Sequence, residues 1–272
     1  MPREELLRRV ADKDALIAVL TDRIDAEVIE AGPALKIVAN IAVGYDNIDV
    51  PAVRRRGVIV TNTPDVLTAA VAEFTWALIL GIARRIGEAD RLVRAGGWTG
   101  WALDFMLGTE LRGKQLGIIG AGRIGRAVAA KAPAFGMRVA FARHDMSLDE
   151  LLVTSDVISI HAAATKENRH LINRKTLIRM KRSALLVKTA RGSLIDEEAL
   201  VWALDERLIA GAALDVFERE PSVHPGLLGH ENVLLAPHLG SATRETRTAM
   251  AELAVRNVLS VLAGGEPLTP VE

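Results

Sequence analysis

The sequence predicts an α/β protein with two parallel sheets in two domains. Short apolar runs alternate with helical stretches along most of the 272 residues, which is the rhythm of parallel strands joined by helices. A long apolar helix interrupts that rhythm once, and a second series of strands follows it. A glycine-rich turn closes the first strand of that second series, so the two series are expected to serve different purposes.

The first series contains three predicted strands. They are the apolar runs at residues 15–20, 36–41 and 58–62. The helices predicted around them are residues 4–10, 23–30, 50–56, about 69–85 with Gly87 as its end, and a further helix to about residue 95. Because a helix separates consecutive strands, we expect the strands to be parallel.

The second series begins at Leu116 and continues to the last strand before a long final helix. Its strands are the run from Leu116 and residues 138–142, 157–160, 184–188, 212–216 and 233–236. Its helices are the stretch after the glycine turn to about residue 135, then residues 148–153, 174–180, 197–206 and about 241–262. In such folds, ligands bind at the carboxyl ends of the strands.

The glycine turn has the spacing G-x-G-x-x-G at Gly120, Gly122 and Gly125. Gly120 allows the chain to reverse, Gly122 removes a side chain that would keep the backbone from a pyrophosphate, and Gly125 permits close packing of helix and strand. The following helix offers unpaired N–H groups to an anion. The strand, turn and helix together predict a Rossmann dinucleotide-binding domain rather than an ordinary βα turn.

Composition excludes several other classes of protein. Lys and Arg number 34 and Asp and Glu number 34, without a block of either sign, so nucleic acid and anionic membranes are not expected as main partners. The absence of cysteine excludes disulfides, a thiol nucleophile and cysteine zinc sites, and no metal site is expected. The N-terminus does not resemble a signal peptide, and we expect a cytoplasmic protein.

The residue at the end of the second strand of this motif selects the cofactor. An acidic residue there binds the ribose 2′-hydroxyl of NAD, whereas an arginine accepts the 2′-phosphate of NADP. Arg143 occupies this position, so NADP(H) is favoured. NAD(H) remains possible if Arg143 is a solvated turn residue and Asp145 turns back to the ribose.

Three later strand ends carry residues suited to 2-keto acid chemistry. Arg191 can bind a carboxylate through its planar guanidinium, and His238 can protonate a carbonyl oxygen. Glu220 supplies a carboxylate that favours the imidazolium form of the histidine. Each residue alone has a common structural explanation, but the three together after a nucleotide motif predict a reductase.

The loop at 96–101 contains two tryptophans, Trp98 and Trp101. Large aromatic side chains in a loop indicate either an interface or lid, or packing into the core, and the sequence does not choose between them.

These motifs resemble those of the D-isomer-specific 2-hydroxyacid dehydrogenases, and within that family the glyoxylate/hydroxypyruvate reductases. The resemblance extends from Asn40 to the C-terminus. It is carried by the motifs already described and by NIAVGYDNID at 40–49, TPDVLT at 63–68, GGWTGW at 96–101 and GEPLTP at 265–270.

The resemblance implies a Rossmann domain at 71–243, with a dimerisation arm near 86–112, and a shortened flavodoxin-like substrate-binding domain at 1–70 and 244–272. It implies Arg191, Glu220 and His238 as catalytic residues, and a homodimer in which Trp101 reaches the substrate of the partner subunit. Val43, Gly44 and Arg191 would bind the substrate carboxylate. The cofactor would be held by Gly120, Gly122, Arg123, Ile124, Gly125, Arg143, His161, Thr165, Thr189, Ala190 and Asp215, the last at the nicotinamide carboxamide.

The implied reaction is the NADPH-dependent reduction of glyoxylate or hydroxypyruvate to the D-2-hydroxy acid. Two alternatives stay open: a reductase of another 2-keto acid, such as a phosphoglycerate-type substrate, and a catalytically impaired nucleotide-binding scaffold.

Four departures from the family pattern bear on these expectations. Family members usually carry a further N-terminal strand, central in the substrate-domain sheet, so its two neighbours are expected either to close up or to be covered by a partner chain in an obligate dimer. The segment after Arg143 is shortened, which is expected to reshape the adenosine pocket. Ala163 replaces a usual proline, and Lys188 replaces a usual asparagine, where it is expected to contact the cofactor phosphate.

Overall fold

The computed structural model describes residues 2–271, which form two compact units. One unit comprises Met1–Thr68 and Ala242–Glu272, and the other comprises Ala69–Ser241. Both are α/β, as the sequence predicts, and each has its own parallel sheet.

The first unit contains a three-stranded sheet in the order β1-β2-β3. The strands are β1 (Ala15–Ala18), β2 (Ile37–Asn40) and β3 (Ile59–Thr61). The helices of its N-terminal segment are α1 (Arg3–Val10), α2 (Ala26–Ala31) and α3 (Val50–Arg55). All four residues of β2 are buried; three of them are apolar, as expected for a parallel strand covered on both faces, and the last is the polar Asn40.

The three strands of this sheet are contiguous. Ala15 lies opposite Ile37, and Ile37 lies opposite Ile59, so β2 pairs with both neighbours in register. Of the two expected outcomes for the neighbours of the missing strand, closing up or being covered by a partner chain, the described residues show a sheet without a gap. β1 forms one edge of the sheet, where Ile17 is exposed.

The second unit contains a six-stranded parallel sheet in the order β5-β4-β6-β7-β8-β9. Its strands are β4 (Gln115–Ile119), β5 (Arg138–Phe141), β6 (Val157–Ile160), β7 (Leu185–Lys188), β8 (Gly211–Leu214) and β9 (Val233–Leu235). Its helices are α4 (Thr68–Ala83), α5 (Ile86–Arg94), α6 (Arg123–Lys131), α7 (Leu148–Thr154), α8 (Arg174–Leu177), α9 (Glu197–Asp205) and α10 (Pro225–Leu228), and α11 (Arg244–Leu262) follows in the first unit.

This topology fixes where a ligand can bind. The connection after β4 leads to β5 on one side, and the connection after the adjacent strand β6 leads to β7 on the other, so the chain leaves the carboxyl ends of β4 and β6 in opposite directions. A crevice at such a switch point is the usual ligand site of open parallel sheets. We call the side of this sheet at which the strands end its carboxyl edge, and the opposite side its amino edge.

Several predicted helix ends are wrong for local reasons. The long helix ends at Ala83 rather than Arg85, because Arg85 has a left-handed backbone (φ 55°), and Gly87 lies inside α5 instead of ending α4. α6 ends at Lys131, and a 3₁₀ turn containing Pro133 continues to Phe135. α8 ends at Leu177 rather than residue 180.

Helix starts were predicted too early where a capping side chain lies inside the predicted range. Asp25 caps α2 by accepting a hydrogen bond from Val28 N, and Thr243 caps α11 in the same way from Thr246 N. Within residues 2–271, none of the helices is both long and apolar enough to cross a membrane.

Candidate active site

The glycine turn after β4 has the geometry that its spacing predicts. Gly120 has φ 105°, and a Cβ there would lie 2.5 Å from Ala162 N. A Cβ on Gly125 would lie 2.1 Å from Gly120 O, so the helix and the turn are in direct backbone contact. Gly122 precedes α6 and faces open space, which leaves the start of that helix accessible to an anion.

Arg123 and Ile124 form the first turn of α6, next to this opening. Arg123 is exposed, whereas Ile124 packs partly into the core below the helix. Both residues therefore lie at the helix start, where a cofactor pyrophosphate would bind.

At the carboxyl end of β5, Arg143 is exposed and has a left-handed backbone (φ 63°). Asp145 turns back toward the strand, where Oδ2 accepts a hydrogen bond of 2.8 Å from Phe141 N and Oδ1 lies 2.8 Å from His144 Nδ1. Both carboxylate oxygens of Asp145 are thus engaged in holding the turn, while Arg143 is accessible to solvent.

The loop after β6 borders the glycine turn. His161 N donates to Ile119 O (2.7 Å), and its ring Nε2 lies 2.8 Å from Ser159 Oγ. Burial lowers the pKa of His161 to about 4, so the ring is neutral at physiological pH. Thr165 is exposed further along the loop, where its N–H donates to Asn168 Oδ1.

The loop after β7 carries Thr189, Ala190 and Arg191. Thr189 Oγ1 lies 3.1 Å from Thr75 Oγ1 of α4, which ties the loop to that helix. Arg191 is partly exposed, and its Nη1 donates to Ala190 O (3.0 Å). The guanidinium is close enough to Glu220 to help lower the pKa of that carboxyl group.

Glu220 and His238 are in direct contact. Glu220 Oε2 lies 2.9 Å from His238 Nδ1, and Glu220 Oε1 accepts from Phe217 N (3.0 Å). Burial tends to raise the pKa of Glu220, but the hydrogen bonds from His238 and Phe217 outweigh it, and the pKa lies below its usual value. The site therefore contains an ionised carboxylate in contact with Nδ1, one of the two ring nitrogens of His238.

Asp215 holds the histidine loop in place. The residue is 1% exposed; its carboxylate accepts from Leu239 N (2.6 Å) and Gly240 N (2.8 Å), and its carbonyl accepts from His238 N (2.8 Å). Burial raises the pKa of Asp215 despite these donors. Its observed contacts are with the backbone beside His238, and a nicotinamide contact stays a prediction.

Three further predicted site residues, Val43, Gly44 and Trp101, lie in other segments of the chain, and their contacts with a substrate stay predictions. Val43 and Gly44 belong to the first unit, where their carbonyls accept from Asn62 Nδ2 (2.8 Å) and Asn40 Nδ2 (2.9 Å). Trp101 is 80% exposed, and Trp98 is also exposed, so packing of these indoles into the core of this chain is excluded.

The expectation for Lys188 is wrong. Its side chain has no exposed surface, and its ammonium donates to Gly192 O (3.1 Å) and lies 3.7 Å from Glu197 Oε1. The side chain therefore runs beneath the loop that carries Arg191, not toward a cofactor phosphate. Glu197 and Glu218 belong to the same network and are not among the residues predicted from the sequence. The sequence feature that indicates a buried charge network is Lys188 at the end of an otherwise apolar strand.

A cavity of about 580 Å³ lies at the amino edge of the same sheet, away from these residues. Its lining includes Arg85, Asp205, Arg207 and His230. None of the predicted site residues lines it.

Comparisons with known proteins agree with this arrangement. A family model described as the NAD binding domain of D-isomer specific 2-hydroxyacid dehydrogenases matches residues 76–240. The chain is 51% identical over 282 residues to a glyoxylate reductase of Thermofilum pendens, an alignment that covers 97% of this chain and 83% of the relative.

Solved structures give the same result. A protein of Thermus thermophilus is 47% identical, with a TM-score of 0.96 over 100% of this chain and 90% of that one. An NADPH-dependent glyoxylate/hydroxypyruvate reductase of Sinorhizobium meliloti, solved with NADP and malonate, is 36% identical, with a TM-score of 0.88 over 97% of this chain and 85% of that one.

Proposed function

The chain belongs to the D-isomer specific 2-hydroxyacid dehydrogenase family, and from that membership and the geometry of the site we propose that it reduces glyoxylate and hydroxypyruvate with NADPH. The observation that carries the proposal is the Glu220–His238 pair at the carboxyl edge, beside Arg191 and on the same sheet as the glycine turn. That set provides a proton donor, a group that holds the donor and a cation for a carboxylate.

The residues at the carboxyl edge fit a nicotinamide dinucleotide. Gly122 leaves room where a side chain would block the approach of a pyrophosphate, and the N-terminus of α6 points its N–H groups into that room. Gly120, Gly125, Arg123 and Ile124 would hold the pyrophosphate, and residues of the loops after β5, β6, β7 and β8 would hold the rest: Arg143, His161, Thr165, Thr189, Ala190 and Asp215. When bound, the reduced nicotinamide supplies the hydride for the carbonyl carbon.

The chain's own residues would bind and protonate the substrate. Arg191 presents a planar guanidinium to the carboxylate of the keto acid, with backbone N–H groups of Val43 and Gly44 as further proposed donors. His238 Nε2 donates a proton to the carbonyl oxygen as negative charge develops there. Glu220 stabilises the imidazolium through Nδ1 and fixes the orientation of the ring.

The proposed preference for NADPH depends on Arg143. This residue is exposed at the end of β5, where the 2′-phosphate would lie, and the oxygens of Asp145 are already engaged by Phe141 N and His144. We expect Arg143→Ser to raise the KM for NADPH about tenfold, the scale of one lost charge-assisted contact, and to leave the KM for NADH unchanged. An equal change in both KM values would contradict the assignment of Arg143 to the 2′-phosphate.

The activity test follows the absorbance of the reduced nicotinamide with purified protein, NADPH or NADH, and a panel of 2-keto acids. We expect oxidation of NADPH with glyoxylate and hydroxypyruvate, faster than of NADH. A larger kcat/KM for a phosphorylated or bulkier keto acid would move the assignment to that substrate. A folded protein that binds NADPH but reduces none of the panel would favour the non-catalytic scaffold.

We further propose a homodimer built on the arm near 86–112. The loop beyond α5 exposes large apolar side chains that a monomer would leave in water: Trp98, Trp101, Leu103 and Leu107. Trp101 would then contact the substrate of the partner subunit. Light scattering should give twice the chain mass, and a monomer would refute the proposal. A cytoplasmic location stays a prediction from the sequence.

A further inference from the structure

The buried lysine beneath the catalytic loop has two partners. Lys188 ends β7, and its Nζ donates to Gly192 O (3.1 Å), the carbonyl of the residue after Arg191. Its other neighbour is Glu197 Oε1, at 3.7 Å, in the first turn of α9. Both side chains are within the protein, with 0% and 5% of their surface exposed. Removing an ammonium group from water costs free energy that pairing offsets only in part. An apolar side chain would fill the same space without this cost, so packing alone does not explain a lysine here.

Glu197 connects the lysine to the second catalytic segment. Its Oε1 also accepts from Glu218 N (2.8 Å), two residues before Glu220. The same segment is in backbone contact with the first loop, because a Cβ on Gly192 would lie 1.8 Å from Phe217 O. The buried pair thus spans the junction of the two loops that carry Arg191 and Glu220.

We propose that Lys188 is a positioning residue for the reduction: its charged ammonium, paired with Glu197, holds the Arg191 loop and the Glu220 segment in the geometry that binds and protonates the keto acid. The inference rests on the proposed function. It gives Lys188 no contact with substrate or cofactor, since its side chain has no exposed surface.

The charged groups that face Lys188 are mostly acidic. They are Glu197 from α9, and Glu218 and Glu220 from the segment after β8. Two of these are themselves paired: Glu218 with Arg169 (2.7 Å) and His170 (2.6 Å), and Glu220 with His238. Glu197 is therefore the carboxylate that has Lys188 as its cationic neighbour in this network.

Burial lowers the pKa of Lys188 to about 8, although the three carboxylates oppose the shift. The ammonium is therefore charged at neutral pH and loses its proton in mildly alkaline solution. If the charge positions the loops, the enzyme should lose that support as the pH rises through about 8.

The test compares kcat/KM of Lys188→Met with that of the parent protein from about pH 6.5 to 9.5, using NADPH and the keto acid that the parent reduces best. We expect the variant to be about 10- to 100-fold less active at the acidic end, with the loss mainly in kcat, because small displacements of catalytic groups cost this much. The ratio of variant to parent should rise toward one above pH of about 8, since the parent then loses the same charge.

Lys181→Met is the matched control. Lys181 precedes the same strand at the amino edge, where it pairs with Asp156 (2.8 Å). We expect its kcat/KM to stay within about twofold of the parent at every pH, the scale of exposed ion pairs. If Lys188→Met does not fold, the double variant Lys188→Met with Glu197→Gln removes both buried charges and should show the same rise of the ratio with pH.

A ratio that does not change with pH would overturn the inference, because a packing role alone does not titrate. A variant as active as the parent at the acidic end would overturn it as well. A parent protein that reduces no 2-keto acid would instead overturn the proposed function, so the two failures are distinguishable.

Discussion

The two edges of the six-stranded sheet contain the same types of ionisable residue in different settings. At the amino edge, Lys181 and Asp156 form a partly exposed pair, 2.8 Å apart. At the carboxyl edge, Lys188 is fully buried and binds a loop carbonyl as well as Glu197. The amino-edge pair joins side chains near solvent, whereas the carboxyl-edge lysine joins main-chain segments that carry the proposed catalytic residues.

The two aspartates next to these strands differ in the same way. Burial tends to raise the pKa of Asp156, but hydrogen bonds from Lys181 and Gln115 N outweigh it, and the pKa is lowered. Asp215 accepts two backbone hydrogen bonds, yet burial prevails and raises its pKa. One edge therefore favours the charged form of its aspartate, and the other disfavours it.

The difference shows where this fold uses buried charge. At the carboxyl edge, Lys188 and Asp215 are held in surroundings that disfavour their charged forms, and each binds the backbone near a proposed catalytic residue. Burying a charged group lowers the free energy of unfolding, and such losses of stability are typical of functional sites, where side chains must be held in one arrangement.

The largest expected difference between the edges concerns their histidines. His238 follows β9, and His230 precedes it at 3.3 Å from Asp205. His238→Gln should reduce kcat about 1,000-fold with NADPH affinity nearly unchanged, because it removes the proposed proton donor. His230→Gln should leave kcat within about twofold of the parent. Steady-state kinetics with NADPH titration measure both, and a fully active His238→Gln would refute the role of that residue.

The lysines should differ in how stability depends on pH. The pKa of Lys188 is about 8 in the folded protein, against an ordinary value of 10.5, so between these values the unfolded chain holds a proton that the folded chain has released. Rising pH then favours the folded state, by about 3 kcal/mol over this range. Urea unfolding of Lys188→Met should lack this increase relative to the parent, whereas Lys181→Met should retain it.

The two aspartates should make stability depend on pH with opposite signs. Because the pKa of Asp215 is raised, the folded protein keeps the carboxyl proton at pH values just above the ordinary pKa, where the unfolded chain has released it. The stabilisation of the folded state by this proton is lost as the pH rises through the folded pKa. Because the pKa of Asp156 is lowered, its carboxylate stabilises the folded state at pH values above the ordinary aspartate pKa. This stabilisation is lost as the pH falls below that value and through the folded pKa. Unfolding of Asp215→Asn and Asp156→Asn against the parent, across the acidic range, measures both. Equal slopes would remove the distinction between the edges.

Much of the fold was predictable because the spacing of apolar residues and the residues that form turns are local features of the sequence. The apolar run 157–160 coincides with β6, and the glycine spacing placed the turn between β4 and α6. Helix ends were less predictable, because Asp25, Thr243 and Arg85 set them through capping and backbone conformation. The short helix α10 was missed because four residues do not show a period.

The site was predictable only in part, for a physical reason. The Glu220–His238 contact follows from strand order, because the ends of parallel strands meet at one edge. The partners of Lys188 do not, since Gly192, Glu197 and Glu218 come from three segments and their contact depends on packing beneath the surface. The sequence identified Lys188 as unusual, but the predicted contact of its side chain with the cofactor phosphate is wrong, because the ammonium lies at Gly192 O and Glu197.

The close approach of Gly192 to Phe217 also matters for attempts to alter substrate preference. Any other residue at 192 would need its Cβ where the Phe217 carbonyl lies, so a library that replaces Gly192 forces rearrangement of the loop that contains Phe217. Designs that keep Gly192 and diversify the exposed turn at Arg143, or the arm that carries Trp101, leave this junction intact. Position 192 therefore tolerates only the hydrogen atom of glycine, whereas these exposed segments can be varied without disturbing it.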